Sequence, residues 1–162
     1  MDTAWPEPVE RVAAFLRAAG AEARLEQFDE DAATARAAAE AIGCALEQIV
    51  KSLVLVCDGI AVVALVPGDR RGDTDKVARL TGAAKVRIAT PEEVVAATGF
   101  QPGAVAPFPL PGVKRVLVEQ TLLSCPLVWV GAGSDRHMAA LTPAELIRLT
   151  HGEAVDVVRE SA

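Results

Sequence analysis

The chain has 162 residues, a formal net charge of −6 and 51% hydrophobic residues, which suits one domain with a buried core and excludes global disorder. The acidic balance excludes a broad, strongly basic surface and argues against a DNA-binding protein, although a local basic patch stays open. Aromatic residues are only 4% and Tyr is missing, so the chain is poorly equipped to stack single-stranded bases on aromatic rings.

Met1–Pro6 has no basic region ahead of an apolar run, so no secretory signal is expected and the reading is cytoplasmic. Pro8–Ala19 places Val9, Val12, Ala13, Phe15 and Leu16 at helical spacing and ends at Gly20. Ala23–Phe28 alternates as a short strand. Asp31–Ile42 is an alanine-rich helix with Asp31 as N-cap and Gly43 as its stop. The period then changes. Ile49–Cys57 and Ile60–Val66 are β-branched runs around Asp58-Gly59, a hairpin signal, and both are apolar on two faces, as central strands are. Neither run approaches the ~20 residues of a membrane helix. Pro67-Gly68-Asp69 turns out of the hairpin into a helix over Asp73–Leu80, ended by Gly82, and Lys85–Ile88 is a short strand.

Thr90-Pro91-Glu92-Glu93 gives an N-cap, a first-position Pro and an acidic first turn, so a helix runs through Ala97. Gly99–Gly112 holds too much Pro for a central strand and too many apolar residues for a linker, which predicts a long ordered loop. Val113–Val118 and Leu127–Val130 return to strand pattern, and Gly131-Ala132-Gly133-Ser134 is read as a turn. Thr142-Pro143-Ala144-Glu145 starts a helix to Leu149, and Ala154–Val158 is a final strand. Helices and strands are interspersed without strict alternation, which predicts a mixed α/β (α+β) domain.

Lys51 is the sharpest residue. The basic residues are nearly all Arg; the lysines are Lys51, Lys76, Lys85 and Lys114. Lys51 heads a strand that should be buried, where an ammonium costs several kcal/mol unless it is paired or opens into a cleft. Its side chain either reaches solvent at the strand end or stands over a pocket, binding an anionic or carbonyl oxygen. The Gly103–Pro107 segment can bring backbone close to a ligand, or be a structural turn. Gly131-x-Gly133-Ser134 lacks the third glycine of a dinucleotide loop and the Gly-Lys-Ser/Thr of a P-loop. His137 has no partners at ligand spacing, so no metal site is expected and a surface or loop position is read for it. Cys44, Cys57 and Cys125 read as small buried thiols in a reducing cytosol. Arg70, Arg71, Lys76, Lys85 and Arg87 are basic residues between acidic ends, either solvated faces or phosphate contacts to an RNA end.

Taken in order, these features resemble the YbaK/ProX/EbsC family, single-domain relatives of the editing domain of bacterial prolyl-tRNA synthetases. The markers are Ala41-Ile42-Gly43, Gln48-Ile49-Val50-Lys51-Ser52-Leu53-Val54, Pro67-Gly68-Asp69-Arg70-Arg71 with Asp73 and Lys76, Ala89-Thr90-Pro91-Glu92-Glu93-Val94, Thr98-Gly99-Phe100, Gly103-x-x-x-Pro107, and Gly131–Ser134 before Leu141–Leu146. The resemblance implies a single compact domain over residues 1–162, built on a central mixed, partly barrel-like sheet flanked by helices. It implies a deacylase of mischarged tRNA, usually tRNA(Pro), with no metal or organic cofactor. Its partners would be the tRNA acceptor end and prolyl-tRNA synthetase, with no membrane or DNA. Lys51 would be essential and Gly103 would place a backbone group beside the ester. Phe28, Thr34, Ser52, Pro107, Gly131, Gly133 and Ser134 are candidate substrate contacts, and Arg70, Arg71, Lys76, Lys85 and Arg87 candidate tRNA contacts. Gly131 stands where cysteine-specific relatives carry Ser, which favours Ala or another small amino acid over Cys. A non-catalytic tRNA- or synthetase-binding module and a Cys/His hydrolase are the competing readings.

Overall fold

A computed structural model describes residues 5–29 and 34–160. The chain order is α1 (Glu7–Ala18), β1 (Ala23–Gln27), α2 (Ala35–Ile42), β2 (Ile49–Cys57), β3 (Ile60–Pro67), α3 (Thr74–Thr81), β4 (Val86–Ile88), α4 (Pro91–Thr98), β5 (Arg115–Glu119), β6 (Val128–Ser134), β7 (His137–Leu141), α5 (Pro143–Thr150) and β8 (Glu153–Val155). One mixed sheet carries the fold, in the order β1-β7-β6-β2-β3-β5-β8, with β4 also paired to β2. The β2–β6, β3–β5 and β5–β8 pairs are parallel and the others antiparallel.

The doubly apolar runs are central, as their pattern predicts. β2 and β3 pair over their whole length through Asp58-Gly59, whose positive φ angles of 49° and 83° give the left-handed two-residue turn that matches strand twist. The expected helix caps form: Thr90 accepts from Glu93 N, and the Glu93 carboxylate accepts from Thr90 N, a complete capping box. Thr142 caps α5 as expected, and Asp73, read from sequence as the first residue of its helix, is instead the cap of α3. Asp31 lies outside the described residues; the cap of α2 is Thr34, which accepts from Ala37 N.

Two expectations are corrected. Gly131–Ser134 is not a turn but the second half of β6, and the chain reverses after Ser134 into a strand, β7. His137 is accordingly not on the surface: it is 4% exposed, packs against Trp5, and shares a 2.6 Å hydrogen bond between Nδ1 and the Ser134 hydroxyl. Burial pushes its pKa below the ordinary histidine value, with Asp135 pulling weakly the other way. Of the thiols, Cys57 is buried and Cys44 and Cys125 are half-buried.

Alternation along the strands sorts the side chains onto two faces. One face carries the largest core, where Val50, Val54, Val63, Leu65, Val116, Val118, Val128, Val130 and Leu141 meet Val12 and Leu16 of α1, Leu146 of α5, and Phe100 and Phe108 of the proline-rich loop. The opposite face is covered in two separate places. α2 covers Ile49, Trp129, Met138 and Ala140 through Ala38 and Ala39, while Val77 of α3 and the terminal Val157 and Val158 cover Leu55, Val62, Ala64, Val66 and Leu117. On β2, Lys51 is the residue between these two covers.

Candidate active site

A break in the sheet makes the site. β6 pairs with β2 only at Ile49 and Val50, and β4 takes up the same edge only from Leu55 onward. Between them, residues 51–54 of β2 have no strand partner on that side. The Ile49 carbonyl accepts from Gly68 N on the β3 side, whereas the Val54 carbonyl accepts from Ala89 N on the open side. Strand periodicity therefore turns the backbone groups of Ser52 toward the split. The Ser52 hydroxyl is buried there and has no hydrogen-bond partner among the described residues. A buried polar group in that state costs about 1–3 kcal/mol unless something else satisfies it.

A cleft of about 140 Å³ opens at this split, lined by Thr34, Ala35, Ile49, Val50, Lys51, Ser52, Gly103, Val105, Gly131 and Met138. The Lys51 ammonium donates to the Arg70 carbonyl at 2.8 Å. An ammonium has three donors, so two stay without a protein acceptor among the described residues. Burial lowers the Lys51 pKa below the ordinary 10.5, the nearby Arg71 guanidinium lowers it further, and Asp69 opposes them. A half-buried cation beside a second cation is a site that attracts an anion or a developing oxyanion.

The roof of the cleft is the loop after α4. Gly131 lets it close: a Cβ there would lie 2.8 Å from the Val105 carbonyl oxygen, so only glycine allows the loop backbone to sit this near β6. Gly103, at φ 83°, turns the loop over the cleft.

Of the residues singled out from sequence, Lys51, Ser52, Thr34, Gly103 and Gly131 line this one cleft. The others lie elsewhere. Phe28 packs edge-on to Trp129. Pro107 lines a separate groove with Phe15 and Phe108. Gly133 is where β6 passes the start of α1, since a Cβ would meet the Pro8 carbonyl at 2.8 Å. Ser134 is committed to His137 and to Arg136 N. Among the basic residues, Arg71 lies beside Lys51, and Arg70 contributes its carbonyl to Lys51 while its guanidinium donates to the Arg159 carbonyl. Lys76 is held by Asp156, Glu160 and the Val158 carbonyl, and Arg87 by a two-pronged pair with Glu93. Lys85 lies at the far end of the hairpin beside Asp58. Sequence reasoning missed Ile49, Val105 and Met138 as cleft walls, because apolar residues that line a cleft look like core residues. No cluster of three metal-ligating side chains exists among the described residues.

Comparison with known proteins places this site in context. A model of the aminoacyl-tRNA editing domain family matches residues 29–149. The chain is 42% identical over 99 residues to a proline–tRNA ligase of Nitratidesulfovibrio vulgaris, a stretch covering 60% of this chain but only 17% of the ligase. It is 27% identical over 131 residues to an Enterococcus faecalis protein provisionally named a Cys-tRNA(Pro)/Cys-tRNA(Cys) deacylase, EbsC, covering 80% of each. A crystal structure assigned provisionally as a trans-editing enzyme for prolyl-tRNA synthetase superposes with a TM-score of 0.90 at 35% identity, over 97% of this chain and 100% of that one.

Proposed function

The chain belongs to the aminoacyl-tRNA editing domain family, and from that premise we propose that it is a trans-editing deacylase. It hydrolyses the ester that joins a wrongly attached amino acid to the acceptor end of tRNA(Pro), with alanine or another small amino acid as the group removed. Prolyl-tRNA synthetase is the matching partner and the cytoplasm the matching compartment. The reading calls for no cofactor.

The observation that carries it is Lys51, held half-buried at the mouth of a small cleft with two donors unused. An aminoacyl ester is already reactive, so its hydrolysis needs a placed water and stabilisation of developing charge rather than a strong nucleophile. Water adds to the ester carbonyl carbon, the carbon–oxygen bond to the ribose breaks, the ribose oxygen leaves as a hydroxyl with one of the water protons, and the amino acid leaves as its carboxylate while the other proton passes to solvent. The Lys51 ammonium supplies the positive charge, to the oxyanion or to the neighbouring phosphate. A carbonyl of the Gly103 loop is the acceptor that orients the water. The small side-chain space between Ile49, Val105 and Met138 supports a small amino acid.

A second reading, removal of cysteine, is favoured by the likeness to the Enterococcus protein. A deacylation screen over tRNA(Pro) charged with Ala, Ser, Cys, Thr and 2-aminobutyrate separates the two. Fastest turnover of Ala-tRNA(Pro), abolished in Lys51→Ala, is the expected result. Fastest turnover of Cys-tRNA(Pro) selects the second reading. Binding without turnover of any of them overturns both and leaves a tRNA-docking module.

A further inference from the structure

A second cavity, of about 230 Å³, adjoins the cleft and shares Lys51 with it. It lies at the edge of the cover formed by α3 and the terminal segment, where Lys51 and Leu53 of β2 are only half-buried. Its floor is Leu53 and Leu55 of β2, Ala64 of β3 and Val77 of α3. Ile88 stands at its lip and is the most exposed large apolar side chain among the described residues, at 68%. Arg71 and Arg159 also line it, and neither makes an ion pair with a described residue. The one carboxylate on its wall, Asp73, is committed to the start of α3, accepting from Asp75 N and Lys76 N.

We propose that this cavity is the subsite for the 3′-terminal nucleoside of the tRNA, with its base laid against Leu53 and Ile88 and its 5′-phosphate held by Arg71 and Arg159 beside Lys51. The inference rests on the deacylase reading of the cleft and names what lies on the other side of the ester. Spacing supports it. Lys51, Leu53 and Leu55 share one face of β2, so at a rise of ~3.3 Å per residue Leu53 lies roughly 7 Å and Leu55 roughly 13 Å beyond the lysine. The base of a terminal nucleoside lies several ångströms from its esterified hydroxyl, a separation that the Lys51–Leu53 spacing can span. The acceptor end is single-stranded, and an unpaired terminal base is read by apolar and guanidinium surfaces in place of a groove. The chain's shortage of aromatic rings is then no obstacle, because aliphatic side chains and two arginines supply the surface. Cations without carboxylate partners next to an apolar floor complement a phosphate joined to a base.

Two measurements on the full chain test this. The first follows methyl resonances while adenosine 5′-monophosphate is added. Shifts confined to Leu53, Leu55, Val77 and Ile88, and reduced at least about tenfold in apparent affinity by Arg71→Ala, are expected. The second compares steady-state deacylation by wild type and Ile88→Asp, a change at a position 68% exposed, with matching circular dichroism and melting of the two proteins as the check on folding. KM for the charged tRNA is expected to rise about tenfold with kcat within about twofold. Shifts that fall elsewhere or are lacking, or an unchanged KM, overturn the subsite even if the deacylase reading holds. Shifts at these methyls without turnover of any mischarged tRNA keep the subsite and remove the hydrolase reading.

Discussion

At the scale of single residues, Lys51 is costly to the fold and valuable to the site. Its pKa is lowered first by burial and then by Arg71, so the folded state binds that proton more weakly than the unfolded chain does. The sign follows from linkage: the lysine reduces stability at neutral pH, and stability recovers as pH climbs from the lowered value toward the ordinary 10.5. Lys51→Met keeps the length and removes the charge. It is expected to melt above wild type at pH 7, with the gap narrowing as pH approaches 10.5, while deacylation falls by about 10²–10³-fold, the size seen when one oxyanion donor is removed. A melting temperature below wild type at pH 7 contradicts this account. Gly131 makes the opposite kind of contribution. Gly131→Ala sets a Cβ 2.8 Å from the Val105 carbonyl, which is backbone and yields only if the whole loop moves. Overpacking of this kind costs roughly 1–3 kcal/mol. Calorimetry should show that loss together with reduced turnover, since the displaced loop is the cleft roof.

At the scale of elements, α4 shows a cap acting as a pH-dependent lock. The Arg87 guanidinium, and then the Thr90 N–H, hold the Glu93 carboxyl at about 2 against an ordinary 4.5. Its stabilising effect is therefore full above 4.5 and is lost as pH falls from there to about 2. Glu145, held at about 2 by Arg148 and Glu22 N, fades over the same window. Melting temperature plotted against pH should thus drop between pH ~4.5 and ~2, and Glu93→Gln should flatten part of that limb while Glu145 keeps the rest. An unflattened limb excludes Glu93 as a contributor. This cap was legible in Thr90-Pro91-Glu92-Glu93, as the hairpin was in Asp58-Gly59, because both are decided by neighbours in sequence. β7 was not legible. His-Met-Ala-Ala-Leu has no β-branched residue, and its strand conformation comes from pairing with β1 and β6. The two glycines ahead of it read as a turn because tight turns and close backbone approach use the same residue. Here one passes the Val105 carbonyl and the other the start of α1. His137 was misplaced for the same reason: Trp5, distant in sequence, buries it. Lys51 stood out because it interrupts an apolar run. Arg159 did not, because only the docking of the C-terminal segment beside Gly72 brings it to the cavity.

At the scale of the whole molecule, the charge of −6 and the proposed RNA substrate are reconciled by a local contact, since part of the positive charge is already used. Arg87, Arg115, Arg148 and Lys76 are paired with Glu93, Glu153, Glu145 and Asp156. Such pairs withdraw positive charge from any broad RNA-binding face. Among the cations without an ion pair to a described residue, Lys51, Arg71 and Arg159 gather around the two adjoining cavities where β2 leaves its partner strands. On the proposed reading, the molecule grips a tRNA by its tip. The salt dependence of kcat/KM reads that grip directly. Each single-strand phosphate neutralised contributes a slope of about −0.7 in a plot of log affinity against log salt. Three cations therefore give a slope of roughly −2, a fall of about tenfold to twentyfold between about 50 and 200 mM salt. Arg71→Ala should make that slope shallower by about 0.7, whereas Lys85→Ala, at the far end of the hairpin, should leave it unchanged. A wild-type slope steeper than about −5 would require many more phosphate contacts than this end of the sheet can make, and would move the tRNA interface onto the outer face around Lys85 and Arg87.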